Sequence, residues 1–267
     1  MIKNKILLFL KGFCVGGSML VPGVSGGSMA IILGIYDELI HATSNLFKKP
    51  KKYLSFMLIF VLGSILGFVV IANPLKRLLA WNEKLVMYFF IGAVAGSIPM
   101  IFRKARANRA ELRSVLYVFA GLFLMWVIAQ IPANLFAARE GVYGMLIQAA
   151  GGVLASTALV LPGISVSYLL VVMGIYEPIL TAIASVDILA LLPFLIGLLI
   201  GIAACIKLLS CLLTRHPKPT YMVILGFILG SLAEIFPGMP STFYEWGIGI
   251  LIFSAGFFVI AFISKQE

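Results

Sequence analysis

Long apolar runs separated by short polar loops dominate the chain. Two apolar regions, about 6–40 and 142–177, are each interrupted in the middle by a Pro-Gly pair. An interrupted region is compatible with one kinked span or with a re-entrant hairpin that enters and leaves the membrane at one face. Six uninterrupted runs suit a membrane-spanning helix, which needs roughly 20 residues: about 53–73, 85–102, 115–132, 188–206, 221–236 and 246–264.

The two interrupted regions repeat one another. The stretch PGVSGGSMAIILGIYDELI at 22–40 corresponds, 140 residues later, to PGISVSYLLVVMGIYEPIL at 162–180. A second correspondence, at an offset of 134, pairs IGAVAGSIPMIF at 91–102 with LGFILGSLAEIF at 225–236. Two matches at nearly the same offset indicate an internal duplication.

The duplication predicts the fold class, an all-α polytopic membrane protein. Its halves are 1–132 and 133–267, and each holds one re-entrant broken-helix hairpin and three transmembrane helices. Three is an odd number of crossings, so the second half enters the membrane from the opposite face. The expected architecture is therefore an inverted-topology repeat, which is typical of many secondary transporters.

Composition and charge support this topology. The chain is 62% hydrophobic and 11% charged, with a mean hydropathy of +1.12 and a net charge of +10. With re-entrant hairpins and both termini in the cytoplasm, the outer face keeps only four of the 20 basic residues: Lys76, Arg77, Lys84 and Arg139. This bias follows the positive-inside rule. It indicates a multi-pass protein of the cytoplasmic membrane. Its basic residues are expected to contact anionic lipids and not nucleic acid.

The two breaks predict an anion site. Irregular backbone at membrane depth persists only where protein buries it or where it lines a cavity, so two breaks from opposite faces are expected to meet near the midplane. Glycines allow close approach to backbone N–H groups, serines add hydroxyl donors, and helix N-termini favour negative charge. The candidate phosphate ligands are Ser25, Gly26, Gly27, Ser28, Ser165 and Ser167, supported by the motif residues Pro22, Gly23, Pro162 and Gly163. The alternative is that these small residues only allow helices to pack closely.

The remaining polar residues give weaker signals. Glu234 and Lys207 lie at the edges of apolar runs, where an interfacial position competes with a role in handling charge. The pairs Tyr36–Asp37 and Tyr176–Glu177 are typical of hairpin caps at the interface. The spacing of cysteine and histidine residues fits neither a metal site nor a disulfide framework, and we expect no cofactor and no catalytic residue.

The doubled motif resembles the polyprenyl-phosphate transporter family, long catalogued as a domain of unknown function. The likeness lies in VPGVSGGSMAIILGIYDELI and LPGISVSYLLVVMGIYEPIL, and the chain length fits as well. The resemblance implies flipping of undecaprenyl phosphate from the outer to the inner leaflet of the bacterial cytoplasmic membrane, which recycles the lipid carrier for cell-wall assembly. Ser28 stands where the family usually has threonine, and Val166 where glycine is expected in the second motif.

Two other functions remain open at this point. Undecaprenyl-pyrophosphate phosphatases also use inverted repeats with Pro-Gly-x-Ser turns, but their motif serine is followed by arginine, and hydrolysis needs such cationic stabilisation. Here Gly26 and Val166 follow the motif serines, so neither copy has that arginine. No Glu-x-x-x-Glu pair that could assist hydrolysis occurs in any span. A transporter of a small water-soluble anion would use the same motif chemistry. The sequence leaves the coupling ion, the prenyl length and the oligomeric state open.

Overall fold

The computed structural model of the protein describes residues 5–19, 26–46, 48–105, 111–132, 141–164, 166–185 and 187–265. These residues form helices and no strands, which confirms the all-α prediction. In chain order the helices are α1 (Lys5–Ser18), α2 (Gly26–Ile32), α3 (Tyr36–Ser44), α4 (Pro50–Lys104), α5 (Leu112–Ala129), α6 (Gly141–Val160), α7 (Val166–Val172), α8 (Tyr176–Ala184), α9 (Ile188–Arg215), α10 (Pro217–Ile235) and α11 (Phe243–Lys265).

Among these helices, α4, α5, α6, α9 and α11 are long and apolar enough to cross a membrane. The protein is therefore a multi-pass membrane protein. Helix α10, predicted as the span 221–236, is not among them. Two further features differ from the prediction. Helix α9 continues past residue 206 to Arg215, because the single charge of Lys207 does not interrupt the apolar pattern. Helix α6 has 20 residues within the second interrupted region, and that length alone suffices for a span.

Helix α4 consists of two segments. Asn82 leaves the helical conformation, with φ −160° and ψ 89°, and its side-chain oxygen accepts a hydrogen bond of 3.1 Å from the Leu85 N–H. This contact caps the start of the second segment, as asparagine commonly does. The segments 50–81 and 83–104 contain the predicted spans 53–73 and 85–102, so the break separates two spans.

Glycines bring the long helices together in parallel pairs. A Cβ placed on Gly12 would lie 2.4 Å from the Phe60 carbonyl oxygen, and one on Gly16 would lie 1.9 Å from that of Ser64. Contacts that advance along both helices together show that α1 and the first segment of α4 run parallel. By the same criterion α6 runs parallel to α9, α5 to α10, and α11 to the second segment of α4. Such close backbone approach through small residues is a common means of packing membrane helices.

The segments that follow the breaks have the same structure in both halves. Helices α7 and α8 begin and end 140 residues after α2 and α3. Gly34 and Gly174 close the two turns with positive φ values of 66° and 71°, a conformation that favours glycine. The turn hydrogen bonds also match, since Ile35 N–H donates to Ala30 and Ile175 N–H donates to Leu170.

The core lies where α2 and α3 meet the second segment of α4, α9 and α10. Ile31, Ile32 and Ile35 are among its most buried side chains, together with Met222 and Ile228 of α10. Large apolar side chains on the outer faces of the long helices are exposed, as expected of surfaces that contact lipid. The short helices of the first half therefore occupy the centre of the molecule.

Candidate functional site

The start of α2 contacts the break that follows α6. A Cβ placed on Gly27 would lie 3.3 Å from the Cα of Pro162 and 3.4 Å from the carbonyl oxygen of Val160. Pro162 is fully buried. The two interrupted segments therefore touch, and Gly27 is the residue that allows this approach.

Glycine is also required on the second side of this contact. Gly163 has a φ of +88°, and a Cβ on it would lie 2.6 Å from the carbonyl oxygen of Phe227 in α10. A side chain at this position would thus combine backbone strain with a clash. The break after α6 is held between Gly27 on one side and α10 on the other.

Ser28 and Gly26 occupy different environments at the start of α2. Ser28 is buried, whereas Gly26 is half-buried, and the nearest atoms that a Cβ on Gly26 would meet among the described residues belong to the flexible Met19 side chain, at 3.2 Å. The first four N–H groups of any helix lack an intrahelical acceptor. The exposed side of Gly26 is therefore where a ligand can approach the α2 backbone.

Several predicted site residues lie outside the described residues, namely Pro22, Gly23, Ser25 and Ser165. The side chains of Ser167 and Glu234 are also outside them, although their backbones belong to α7 and α10. Lys207 is exposed on α9. The structure thus brings Gly26, Gly27 and Ser28 together with Pro162 and Gly163, and it leaves Lys207 on an outer face.

A polar cluster lies at the start of α3, and the sequence did not indicate the partners that Asp37 has there. The Lys104 ammonium donates to one Asp37 carboxylate oxygen over 2.8 Å, and the Tyr221 hydroxyl donates to the other. The Tyr36 hydroxyl donates over 2.9 Å to the carbonyl oxygen of Val160, at the end of α6. The repeated Gly-Ile-Tyr-acid sequence was the only signal for this cluster, since its partners are 67 and 184 residues distant from Asp37.

An apolar cavity opens between α9 and α10. Its volume is about 450 Å³, and its lining includes Leu161, which directly precedes Pro162. Leu208, Leu212 and Phe227 line its walls, and His216 lies at the turn that joins the two helices. The cavity therefore adjoins the contact between the two breaks. No group of three potential metal ligands occurs within the described ranges.

Comparison with known proteins assigns the family. A profile described as undecaprenyl phosphate translocase-like matches residues 15–246. The chain belongs to the undecaprenyl phosphate translocase-like family. It is 33% identical to the polyprenyl-phosphate transporter of Staphylococcus aureus over 269 residues, which covers 96% of this chain and 94% of that protein. It is 31% identical to the polyprenyl-phosphate transporter of Vibrio cholerae over 250 residues, or 88% and 78% of the two chains. No solved structure gives a significant match.

Membership of the undecaprenyl phosphate translocase-like family confirms the resemblance carried by the doubled motif. The matched region begins in α1 and ends in α11. It therefore includes both breaks, the Asp37 cluster and the apolar cavity. The features that define the candidate site all belong to the part of the chain that the family shares.

Proposed function

We propose that this protein moves undecaprenyl phosphate from the outer to the inner leaflet of the bacterial cytoplasmic membrane, and so returns the lipid carrier for reuse. Both relatives are named polyprenyl-phosphate transporters. The contact between Gly27 and the backbone of Pro162 is the observation that carries the proposal, because it joins the two motif segments at one site. The protein acts as a carrier and not as an enzyme.

The proposed architecture is an inverted-topology repeat of 1–132 and 133–267 with both termini in the cytoplasm. Parallel packing of α1 on the first segment of α4 supports it, because the chain between two parallel neighbours must return to the face where it started. The same argument applies to α6 and α9. Each half then contributes one re-entrant hairpin and three crossings, and the odd number reverses the second half.

The proposed phosphate site comprises Ser25, Gly26, Gly27 and Ser28, with Ser165 and Ser167 on the second side. Hydrogen bonds to a charged phosphate are roughly twice as strong as those between neutral groups. Backbone N–H groups and hydroxyls supply such bonds without a buried cation, which suits a ligand that must leave again. The half-buried position of Gly26 supports access from one side.

The prenyl tail is proposed to remain on the apolar side of the protein. Moving each CH₂ group from lipid into water costs about 0.8 kcal/mol, so a long tail cannot follow the headgroup through a polar path. The cavity between α9 and α10 supports a lateral exit, because it is lined almost wholly by apolar atoms and its lining includes Leu161, beside the second break. A small water-soluble anion would have no use for this cavity.

Binding and flipping by a Gly26→Val variant test the proposal. Valine should fold here, since the nearest described neighbour is the flexible Met19 side chain, but it blocks the approach of phosphate to the α2 backbone. Losing one hydrogen bond to a charged group costs about 1.5–3 kcal/mol, so the affinity for a polyprenyl phosphate should fall roughly ten- to a hundredfold. The measurements are lipid binding by purified protein and transfer between leaflets in liposomes.

The matched control is Gly247→Val on α11, where nothing lies within 4 Å of an added Cβ. This variant should bind and flip the lipid normally. Inorganic phosphate is offered as a competitor to separate a lipid carrier from a carrier of free anions. Normal flipping by a well-folded Gly26→Val protein would refute the site, and transport of free phosphate without lipid flipping would refute the substrate.

A further inference from the structure

The two copies of the Gly-Ile-Tyr-acid sequence have different environments. In the first half, Tyr36 is buried and Asp37 is bound by Lys104 and Tyr221. In the second half, Glu177 is exposed and makes no hydrogen bond or ion pair with any residue that the structure describes. Helices α3 and α8 occupy equivalent positions in the repeat. The difference between Asp37 and Glu177 therefore lies in the residues around each carboxylate and not in the motif itself.

The partners themselves differ in sequence between the halves. At the offset of 134, Tyr221 corresponds to Met87 and Lys104 corresponds to Gly238. Neither methionine nor glycine has a side-chain donor for a carboxylate. Glu177 therefore cannot form the contacts that Asp37 forms, and this difference between the two motif copies is fixed by the sequence.

The packing of the two equivalent helices, α3 and α8, also differs. Helix α3 packs against α9, and Tyr36 and Ile40 share a core cluster with Ile206 and Leu209. Helix α8 makes no comparable contact with α4 among the described residues. Among the described residues, α3 thus has a packing partner in the other half of the chain that α8 lacks.

We propose that Tyr36, Asp37, Lys104 and Tyr221 form a cytoplasmic latch that keeps the resting carrier closed to the cytoplasm. This inference rests on the proposed function, which places α3 on the cytoplasmic side. The latch joins α3 to the end of α4 and the start of α10 through Asp37, and to the end of α6 through Tyr36. Release of a phosphate headgroup into the inner leaflet requires this latch to open.

Tyr36 connects the latch to the phosphate site. Its hydroxyl binds the carbonyl oxygen of Val160, two residues before Pro162, and that same oxygen lies beside Gly27. Opening the latch therefore removes the contact between Tyr36 and Val160, which lies in the segment that leads into the second break and so to the second side of the proposed phosphate site. Closure on the cytoplasmic side and a complete headgroup site therefore belong to one conformation.

The native Cys205 reports whether the latch is open. It lies on α9, which α3 covers, and it packs against the core cluster that contains Tyr36. The parent protein carries Cys14→Ser and Cys211→Ser, so that one thiol remains among the free cysteines of the described chain. Cys205 also lines the cavity between α9 and α10, so the parent has a basal labelling rate. Inside-out vesicles are treated with a charged, membrane-impermeant maleimide, which reaches Cys205 faster when the latch opens and water enters from the cytoplasmic side.

Asp37→Asn in this parent should raise the labelling rate of Cys205 roughly five- to tenfold. Asparagine keeps the size of the side chain but removes the charge that both partners bind. The expected gain lies just below the range for a charged hydrogen bond, because the ion pair is partly exposed and solvent screens it. Glu177→Gln is the matched control, and its labelling rate should equal that of the parent.

Two further variants keep the test decisive. Asp37→Glu restores a carboxylate and should return labelling towards the parent rate, which a purely structural defect would not do. Tyr221→Phe removes one hydroxyl at constant shape and should raise labelling by a smaller factor. Unchanged labelling in Asp37→Asn with an unchanged Tm overturns the latch, and if that variant does not fold, unchanged labelling in Tyr221→Phe overturns it instead.

The labelling needs no lipid substrate, so its outcome is separate from that of the transport proposal. Raised labelling together with failure to bind any polyprenyl phosphate would leave the latch standing and refute the substrate. Unchanged labelling in a protein that binds and flips the lipid would refute the latch alone.

Discussion

The contact at Gly16 predicts a large effect from a single methyl group. A Cβ at this position would lie 1.9 Å from the Ser64 carbonyl oxygen and 2.7 Å from the Ser64 Cα, both of them backbone atoms. Because real Cβ atoms stay at least 3.0 Å from such neighbours, Gly16→Ala forces α1 and the first segment of α4 apart by about 1 Å. No side-chain rotation can relieve this clash.

The size of the effect follows from two opposing terms. A gap of about 0.5–1 Å forfeits a quarter to a half of the dispersion energy at the contact, and overpacking typically costs about 1–3 kcal/mol. Alanine returns up to about 1 kcal/mol through its higher helix propensity. We expect Gly16→Ala to lower the free energy of unfolding by about 1–2 kcal/mol and the Tm by roughly 3–8 °C.

Thermal unfolding of purified protein in one detergent measures this effect. Gly247→Ala is the control, because an added Cβ there has no neighbour within 4 Å and its Tm should stay the same or rise. Gly197→Ala, whose Cβ would lie 1.9 Å from the Ala149 carbonyl oxygen, should behave like Gly16→Ala in the other half. Equal Tm values for Gly16→Ala and Gly247→Ala would refute the parallel packing of α1 on α4.

Two further predictions concern topology and the tail path. A cysteine at Asn45 should react with an impermeant reagent only from the cytoplasm and one at Ser185 only from outside; labelling of the former from outside in intact cells would contradict the inverted repeat. Leu212→Trp, which fills part of the apolar cavity, should weaken polyprenyl-phosphate binding roughly tenfold by displacing about two CH₂ groups. Leu199→Trp on the exposed face of the same helix is the control, and equal affinities would exclude the cavity as the tail path.

The sequence predicted the features that depend on local pattern. The apolar runs predicted helices, and the 140-residue offset predicted that α7 and α8 would repeat α2 and α3. Periodicity and glycine positions determine these features directly, because a helix or a tight turn depends on residues close in the chain. The sequence also led us to expect that the two breaks meet, because broken backbone at membrane depth must be buried. The contact between Gly27 and Pro162 agrees with that expectation.

The sequence did not predict features that depend on distant pairs. Asp37 and Tyr221 are 184 residues apart, and nothing local to either residue indicates the other. The spans 53–73 and 85–102 were predicted as separate, but the cap that Asn82 forms between them was not, since an asparagine in a loop resembles any interfacial residue until its side chain is seen to cap the next helix. Long-range polar contacts require the fold before they can be assigned.

The asymmetry of the two halves bears on how such a carrier would work. An inverted repeat with identical halves would populate its two end states equally, because exchanging the halves converts one state into the other. A tenfold preference for one state needs only about 1.4 kcal/mol, which a single charge-assisted hydrogen bond can supply. Lys104 and Tyr221 donate to Asp37, whereas the corresponding residues Gly238 and Met87 offer Glu177 no side-chain donor, so the carboxylate contact favours closure at the α3 end. A much stronger latch would slow release, since the fraction of open molecules limits every step that requires the open state. A partly exposed pair is therefore better suited to this position than a fully buried one.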